Sequence, residues 1–326
     1  MNTFGNIFRI HIFGESHGKF VGVTIDGCPA GIAINEDDFK TDLARRKSGA
    51  KGTTSRKEDD KPQIISGIYN DFSTGAPITI LFKNANMRSS DYNFKNHPRP
   101  GHADLTGDRK YNSFNDDRGG GHFSGRLTVG LVAAGVIAEK IISNIQIKAK
   151  LTEAGGTENI SEAIENAVKS GDSIGGIIEC TVSNVPVGLG EPFFNSAESL
   201  ISHAVFSIPG IKAIEFGSGF EAAKMKGSKH NDLIINREGK TKTNNASGIN
   251  GGITNGNNLF FRVAVKPTSS ISLPQETYNF ETDTIEPLKI KGRHDACIAL
   301  RVPVIIKAVT ACVLADLYLI NYEIDN

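Results

Sequence analysis

The stretch RPGHADLTGDRKYNSFNDDRGGGHFSGRLTVGLVAAGVIA, residues 99–138, joins a polar loop to a long apolar segment. Its first half is rich in histidine, arginine and aspartate and is broken by glycine, a pattern too irregular for a helix or a strand and typical of a long loop. The glycines at 119–121 let the backbone approach a ligand closely, and Ser124 then begins a helical run. A helix N-terminus behind such a turn attracts anions. The charged side chains therefore favour a functional site over an ordinary surface loop.

Composition limits the classes of partner and the compartment. The 326 residues are 39% hydrophobic, and lysine plus arginine equals aspartate plus glutamate at 36 each, so no positive field predicts a nucleic acid or membrane partner. The apolar segment at 298–320 carries three charged residues, and we expect a buried helix there. The four cysteines are far apart, and no spacing suggests a disulfide framework or a metal ion. We therefore expect a cytoplasmic protein without a metal.

Hydrophobic patterning predicts an alternation of strands and helices. Strands are expected at residues 7–13, 21–26, 63–68, 78–83, 176–183, 213–216 and 259–265. Helices are expected at residues 36–47, 126–142, 158–169, 197–206 and 298–320.

A pattern of elements occurs twice along the chain. Residues 23–31 and 181–188 each contain a predicted strand and a turn, followed by proline, one further residue and glycine. A predicted helix follows each of these stretches. Residues 78–90 and 259–270 are each a strand that leads to a Ser-Ser pair, ahead of a long apolar helix. We infer two intertwined, structurally related halves.

A nominal dinucleotide fingerprint, GxGxxA, occurs at residues 217–222. Gly227 would end any following helix too early for a βαβ unit. The sequence therefore does not support a dinucleotide-binding domain.

Histidines, an aspartate and many cations come from distant parts of the chain. His17 lies on a glycine turn at 14–18 that we expect to expose it, His102 and His122 lie in the central loop, and Asp295 precedes the last helix. Two histidines and a carboxylate can move protons near neutral pH. We expect adjacent Ser16 and His17 to point apart, which argues against a hydrolase dyad. The cations suit a substrate with several anionic groups, and they are Arg45, Arg46, Lys51, Arg99, Arg118, Arg126 and Arg293.

Five motifs occur in an order that covers nearly the whole chain: FGESHG, RPGHAD with RGGG behind it, GGITNG, KPTSS and GRHDAC. In these motifs the chain resembles the chorismate synthase family. The resemblance implies an α+β fold, a β-α-β sandwich of antiparallel sheets with helices outside, as one domain over residues 1–326 of a homotetramer. It also implies the anti 1,4-elimination of phosphate from 5-enolpyruvylshikimate 3-phosphate to give chorismate, a step of the shikimate pathway to aromatic amino acids. Reduced FMN is the family's cofactor and is not consumed.

The resemblance also assigns roles to residues. His17 would be an acid near the leaving phosphate, His102 an acid near the reduced flavin, and Asp295 would help a flavin nitrogen to take the substrate proton. The substrate anions would be held by Arg45, Arg46, Lys51, Arg99 and Arg126, with Arg293 contacting substrate or flavin. The flavin would lie against His122, Phe123, Ser124, Pro209, Gly210, Gly251, Lys266, Pro267, Thr268, Ser269 and Ser270.

The chain departs from the family pattern in two motifs. RGGG is commonly followed by Arg-Ser-Ser, but here by His122-Phe123-Ser124, and RHD is commonly followed by proline, but here by Ala296. The first departure places the flavin contacts of His122 and Phe123 in doubt.

Two alternative functions remain open at this point. A flavin-binding redox or carrier protein could use the same pocket, but it has no need of Arg45, Arg46 and Arg126 converging with His17. Some family members also reduce flavin with NADP cofactors, and nothing in the sequence indicates a nicotinamide site.

Overall fold

The computed structural model describes residues 2–49, 51–54, 58–86, 94–290 and 294–324. Its strands, in chain order, are β1 (Thr3–Phe4), β2 (Arg9–Gly14), β3 (Phe20–Asp26), β4 (Gln63–Ser66), β5 (Ile68–Tyr69), β6 (Phe72–Ser73), β7 (Ile78–Lys83), β8 (Gln146–Ala154), β9 (Gly176–Ser183), β10 (Ile211–Phe216), β11 (Ile249–Asn250), β12 (Ile253–Thr254), β13 (Leu259–Val265), β14 (Gln275–Asn279) and β15 (Thr284–Leu288). The α-helices are α1 (Lys40–Arg46), α2 (Asp104–Lys110), α3 (Thr128–Ile141), α4 (Ile160–Ser170), α5 (Ala197–Phe206), α6 (Gly227–His230) and α7 (Val302–Ile324).

Most expected elements are present, and one expectation about the central loop is wrong. Strands β7, β9 and β13 and helix α5 have the expected bounds. The RPGHAD loop, however, contains helix α2, although its glycine and aspartates predicted irregular backbone. Gly107 in this helix faces the ring of Phe123, and a Cβ there would lie 2.8 Å from Cε2 of that ring. The contact with Phe123 therefore stabilises a helix that local propensity did not predict.

Two antiparallel sheets carry the fold, and their strand orders correspond. The first sheet has the order β1-β2-β3-β7-β4 and the second β10-β13-β9-β8. If β2, β3, β4 and β7 are matched in chain order with β8, β9, β10 and β13, the neighbours within each sheet are the same. Each half then ends in its long buried helix, α3 or α7. The expected pair of related halves is therefore confirmed by topology.

The α+β class and the sandwich of antiparallel sheets are confirmed, but the long helices lie between the sheets rather than outside them. Helix α3 contacts β3 of the first sheet, α7 contacts β8 and β9 of the second, and the two helices pack on each other. Residues 128–138 of α3 are all buried. A helix with a sheet on one side and a helix on the other must be apolar all round. The repeated small residues in α3 meet that requirement.

The last helix is a core element. The span Ile298–Asn321 is long and apolar enough to cross a membrane, with a mean hydropathy of 2.0, but 78% of that stretch is buried inside the protein. Its Asp316 is 2% exposed and accepts hydrogen bonds from the backbone N–H groups of Asn6, Ile7 and Phe8 at 2.7–3.0 Å. This buried carboxylate ties α7 to the segment before β2.

Helices α3 and α7 pack closely at Gly135. A Cβ added to Gly135 would lie 2.4 Å from both Cα and Cβ of Ala308. Real Cβ atoms do not approach other carbon atoms so closely, so a larger residue would have to separate the helices. The absence of a side chain at Gly135 therefore sets the distance between the two halves.

We expect Gly135→Ala to lower the free energy of unfolding by about 2 kcal/mol net, because an approach of 2.4 Å places the overpacking cost at the upper end of its typical range of about 1–3 kcal/mol. The gain of about 1 kcal/mol in helix propensity offsets only part of that cost. Gly130→Ala in the same helix is the matched control. Its Cβ would come no closer than 3.1 Å to another atom, the Gly22 carbonyl oxygen, compared with 2.4 Å at Gly135. Urea unfolding of the two variants and the parent measures both effects. A Gly135→Ala variant as stable as the parent would contradict the proposed spacing.

Candidate active site

Loops at the N-terminal ends of α3 and α7 surround one cleft. Its first part, about 330 Å³, lies between the turn after β2, the central loop, the turn before β10 and the segment after β13. Its second part, about 210 Å³, lies beside the end of α1. The two parts share four lining residues: Ser124, Gly125, Asp295 and Ile298. Four of the five sequence-distant motifs therefore meet in one place, and GGITNG does not line the cleft.

His17 is buried at the edge of the first part, contrary to two expectations. It is 4% exposed, although its glycine turn predicted an exposed histidine. The Oγ atom of Ser16 lies 3.0 Å from Nδ1 of His17, although the two side chains were expected to point apart. Gly119 packs on the ring, since a Cβ there would lie 2.3 Å from Cε1 of His17. Ser16 and Gly119 therefore fix the orientation of the imidazole.

Asp104 holds Arg99 and His102 together. The Nε and Nη2 atoms of Arg99 donate to the two carboxylate oxygens of Asp104, at 2.8 and 2.7 Å, and Nη2 donates to the Gly119 carbonyl oxygen at 2.6 Å. The Nδ1 atom of His102 lies 2.7 Å from Oδ1 of Asp104. Burial would raise the pKa of Asp104, but hydrogen bonds from Arg99 and His102 hold that pKa far below its usual value. Ionised Asp104 therefore accepts Nδ1–H of His102 and leaves Nε2 to the cleft.

The second part of the cleft is built around Asp60. Its carboxylate accepts hydrogen bonds from Nη2 of Arg46 and Nη1 of Arg126. Oδ1 of Asn84 accepts from Nε of Arg126 at 2.9 Å, and Nε of Arg301 donates to the carbonyl oxygen of Arg46 at 3.0 Å. The Asp60 side chain is wholly buried, and those of Arg46 and Arg126 are nearly so.

Charge and burial shift the pKa values in this group. Burial would raise the pKa of Asp60, but the charges of Arg46 and Arg126 lower it. Burial also lowers the pKa of Arg46 to about 10; Asp60 opposes that shift, and the charges of Arg301 and Arg126 add to it. The Nε and Nη1 atoms of Arg46 are buried and have no hydrogen-bond partner within the described residues. A buried unsatisfied donor costs about 1–3 kcal/mol, so an anion that accepted from them would be stabilised.

Asp295 lies where the two parts of the cleft join. Its Oδ1 accepts from the backbone N–H of Thr54 at 3.0 Å and from Nη1 of Arg301 at 3.3 Å. The neighbouring His294 also lines the first part, and burial lowers its pKa, with the charge of Arg99 adding to the effect. Thr54 and Arg301 therefore fix a carboxylate at the boundary.

The segment after β13 supplies hydroxyl and ammonium groups. Lys266 donates from Nζ to the Gly101 carbonyl oxygen at 2.6 Å and to Oγ of Ser269 at 2.8 Å. Burial lowers the pKa of Lys266, and the charge of Lys212 adds to the shift. Oγ1 of Thr268 is buried without a hydrogen-bond partner in the described part of the chain. Pro209, Gly210, Pro267 and Ser270 line the same wall.

Several expected site residues lie away from the cleft lining, and one cannot be placed. His122 faces the Gly14 carbonyl oxygen at 2.8 Å from Nδ1, whereas its neighbours Phe123 and Ser124 line the cleft. Arg45 is paired with Asp42 at 3.6 Å, Lys51 with Glu165 at 2.5 Å, and Gly251 lies in the turn between β11 and β12. Arg293 lies outside the described residues, so its expected contacts stay a prediction.

Sequence reasoning missed Asp60, Asn84, Asp104 and Arg301. Asp60 stands in a run of charged residues, EDDK, that is typical of a solvated surface, and nothing local separates it from Asp59. Asp104 was quoted as part of RPGHAD, but only the fold shows that it holds Arg99. The one available signal for Arg301 was a charge at the start of a long apolar run, where such a residue must find a partner.

The arrangement can bind an anion and move protons. The cleft combines buried guanidinium groups on one side, hydroxyl groups and a lysine on the other, and histidines and an aspartate between them. Charge-assisted hydrogen bonds from guanidinium groups suit phosphate and carboxylate. Over residues 2–49, 51–54, 58–86, 94–290 and 294–324, no cluster of three histidine, cysteine, aspartate or glutamate side chains could hold a metal ion.

Comparison of the sequence with known families and proteins gives one consistent result. The family model described as chorismate synthase matches residues 8–319. The chorismate synthase of Chitinophaga pinensis is 60% identical over 323 residues, which cover 98% of this chain and 97% of the relative. That of Dehalococcoides mccartyi is 48% identical over 351 aligned positions, with 98% and 96% covered, and that of Thermococcus gammatolerans is 42% identical with 96% of each covered.

Solved structures agree with the sequence comparison. A crystal structure of chorismate synthase superposes with a TM-score of 0.75 and 26% sequence identity, covering 98% of this chain and 93% of that one. The family match, the identity to relatives over nearly their full length and the shared fold lead to one conclusion: the chain belongs to the chorismate synthase family and is a lyase.

Proposed function

We propose that this protein catalyses the anti 1,4-elimination of phosphate from 5-enolpyruvylshikimate 3-phosphate to give chorismate, with reduced FMN as a cofactor that is not consumed. The observation that carries the proposal is that His17, His102 and Asp295 line the same cleft as Arg46 and Arg126. An elimination of phosphate needs a proton acceptor, a proton donor and cations, and the cleft offers all three.

The wall after β13 fits a flavin phosphate and ring. Lys266 and the hydroxyl groups of Thr268, Ser269 and Ser270 offer donors, and the buried, unpartnered Oγ1 of Thr268 supports a ligand on this wall. When bound, reduced FMN would supply electron density for breaking the C–O bond without net redox change.

The second part of the cleft fits the anionic groups of the substrate. The substrate carries one phosphate and two carboxylates, and guanidinium groups bind both kinds of anion. The unsatisfied N–H groups of Arg46 are the strongest support for an anion in this part. Arg45, Lys51 and Arg293 are proposed to join the anion contacts once substrate is bound.

The proton-transfer groups line the first part of the cleft, and Asp295 stands at its boundary with the second. We assign His17 to protonate the leaving phosphate, which departs with the electron pair of the C–O bond. His102 is assigned to keep a proton beside the flavin, with Asp104 fixing its ring. Asp295, whose carboxylate is oriented by Thr54 and Arg301, is assigned to assist the removal of the substrate ring proton, which a nitrogen of the flavin would take if reduced FMN were bound.

A flavin carrier is the weaker alternative. A carrier needs the wall after β13, but it needs neither the buried arginines of the second part nor the buried His17 of the first part. The three buried side chains Arg46, Arg126 and Asp60 form no part of that wall. Their presence therefore favours the elimination.

We extend the proposal to a cytoplasmic homotetramer. All four cysteines are buried and free, which suits a reducing compartment where thiols need no partner. Phe193 and Phe194 are 88% and 92% exposed side by side, which supports an interface with another copy.

We expect phosphate release to require reduced FMN without consuming it, because the elimination is redox-neutral. Anaerobic assays that measure phosphate, chorismate and the flavin spectrum together test this expectation. One flavin oxidised per product formed would overturn the proposed reaction.

We expect His17→Ala and His102→Ala each to lower kcat by about 10²–10⁴-fold, since a positioned acid contributes that much. His11→Ala, on an exposed position of β2, is the control and should change kcat less than twofold. Circular dichroism checks that all three variants keep the fold. A variant of His17 or His102 with the parent rate would remove that residue from the mechanism.

We expect Asp295→Asn to keep substrate affinity but lose turnover by about 10²-fold or more, because a carboxylate beside the phosphate would repel it and so must act on the flavin side. Equilibrium binding and single-turnover kinetics separate the two effects. If the variant mainly weakens substrate binding while the chemical step keeps its rate, the flavin-side role is wrong.

A further inference from the structure

Asp60 is the one group that contacts both Arg46 and Arg126 in the described part of the cleft. Each of its carboxylate oxygens takes a different arginine: Oδ2 accepts from Arg46 and Oδ1 from Arg126. Arg46 ends α1 and Arg126 lies just before α3, so the two guanidinium groups come from separate elements. One carboxylate therefore fixes the distance between two anion-binding groups.

The backbone is shaped to bring this carboxylate inside. Asp60 has a φ of 48°, in the left-handed region that few residues other than glycine adopt, although aspartate tolerates it. Its side chain is wholly buried, although it follows the polar run that precedes β4. A buried carboxylate of this kind requires cationic partners, and the two arginines supply them.

Each arginine keeps N–H groups beyond those that Asp60 uses. Arg126 is held on a second side by Asn84, and Arg46 by no described side chain other than Asp60. The Nε and Nη1 atoms of Arg46, which lines the cleft, are the unsatisfied ones. Arg126 also donates from Nη2 to the Lys83 carbonyl oxygen at 3.4 Å, so each of its nitrogens has a partner and only the second N–H of Nη1 and of Nη2 is left for a ligand. Asp60 thus engages one nitrogen of each guanidinium, and within the described residues Arg46 keeps two further nitrogens for a ligand.

Asp60 also limits the charge of this part of the cleft. Its charged lining residues are the cations Arg46, Lys47, Arg126 and Arg301 and the carboxylates Glu58, Asp60 and Asp295. One net positive charge remains, and removal of Asp60 would leave two. The small net positive charge therefore attracts an anion, and the positions of the guanidinium N–H donors determine which anion binds.

We infer that Asp60 is a positioning residue that sets the spacing of Arg46 and Arg126 and thereby selects an extended substrate with several anionic groups over a compact anion. The inference rests on the proposed function, because it takes 5-enolpyruvylshikimate 3-phosphate as that substrate. A compact anion such as inorganic phosphate needs only one guanidinium group, so it can still bind if that group changes position. A substrate whose anionic groups are held apart by a ring needs both guanidinium groups at a fixed separation.

The test compares substrate with inorganic phosphate in two variants. Asp60→Asn removes the charge, and Asp60→Glu keeps the charge but moves the carboxylate by one methylene group. For each, kcat/KM comes from anaerobic phosphate release with reduced FMN, and the Kd of inorganic phosphate comes from calorimetry on FMN-loaded protein. We expect kcat/KM to fall at least tenfold in both, mainly through KM, while the Kd of phosphate changes less than threefold.

Asp316→Asn is the matched control, since Asp316 is equally buried but lies remote from the cleft. Asp316→Asn should lower thermal stability, but it should leave kcat/KM for the substrate unchanged relative to the Kd of inorganic phosphate. Equal losses for substrate and phosphate, no loss for either, or the same change of ratio in Asp316→Asn would each overturn the assignment. If Asp60→Asn does not fold, Asp60→Glu decides the question alone.

The parent protein separates this inference from the proposed function. If the parent does not release phosphate from the substrate, the proposed function fails, and the inference that rests on it falls too. If the parent is active and the Asp60 variants keep its kcat/KM, only the role of Asp60 is wrong.

Discussion

The packing of α3 on α7 determines where every other part of the structure lies. Each helix is covered by its own sheet on one side and by the other helix on the other side, so both are apolar all round. Gly135 is the eighth residue of α3 and Ala308 the seventh of α7, and they meet where the helices pack closely. Gly125, just before α3, and Ile298, just before α7, line the same cleft. Both helices therefore begin at the same end of the core, and the turns before them form the cleft.

This arrangement explains the electrostatics of the site. Two helix N-termini face one cleft, and the positive ends of their dipoles add to the buried guanidinium groups. The carboxylates Asp60, Asp104 and Asp295 each occupy part of an arginine and so orient it. The site is cationic enough to attract a substrate with several anionic groups, while each buried charge keeps a partner.

Sequence reasoning predicted the fold better than the details of the site. Strands β7, β9 and β13 were found because apolar residues alternate along them and polar turn residues end them. The motifs identified His17, His102 and Asp295, and these three do line one cleft. The burial of His17 and the role of Asp60 could not be predicted, because each depends on contacts with residues far along the chain. The same reason explains α2, a short helix stabilised by its packing on Phe123.

The buried contact between Asp316 and residues 6–8 joins positions 308–310 residues apart. During synthesis on the ribosome, the first sheet and α3 are complete long before this contact can form. The apolar face of α3 that will meet α7 stays uncovered until α7 has been synthesised, which is the situation in which nascent chains aggregate or bind chaperones. The high contact order also predicts slow folding, with the catalytic cleft assembled only when α7 docks. The time needed to produce a working molecule is therefore governed by the docking of α7.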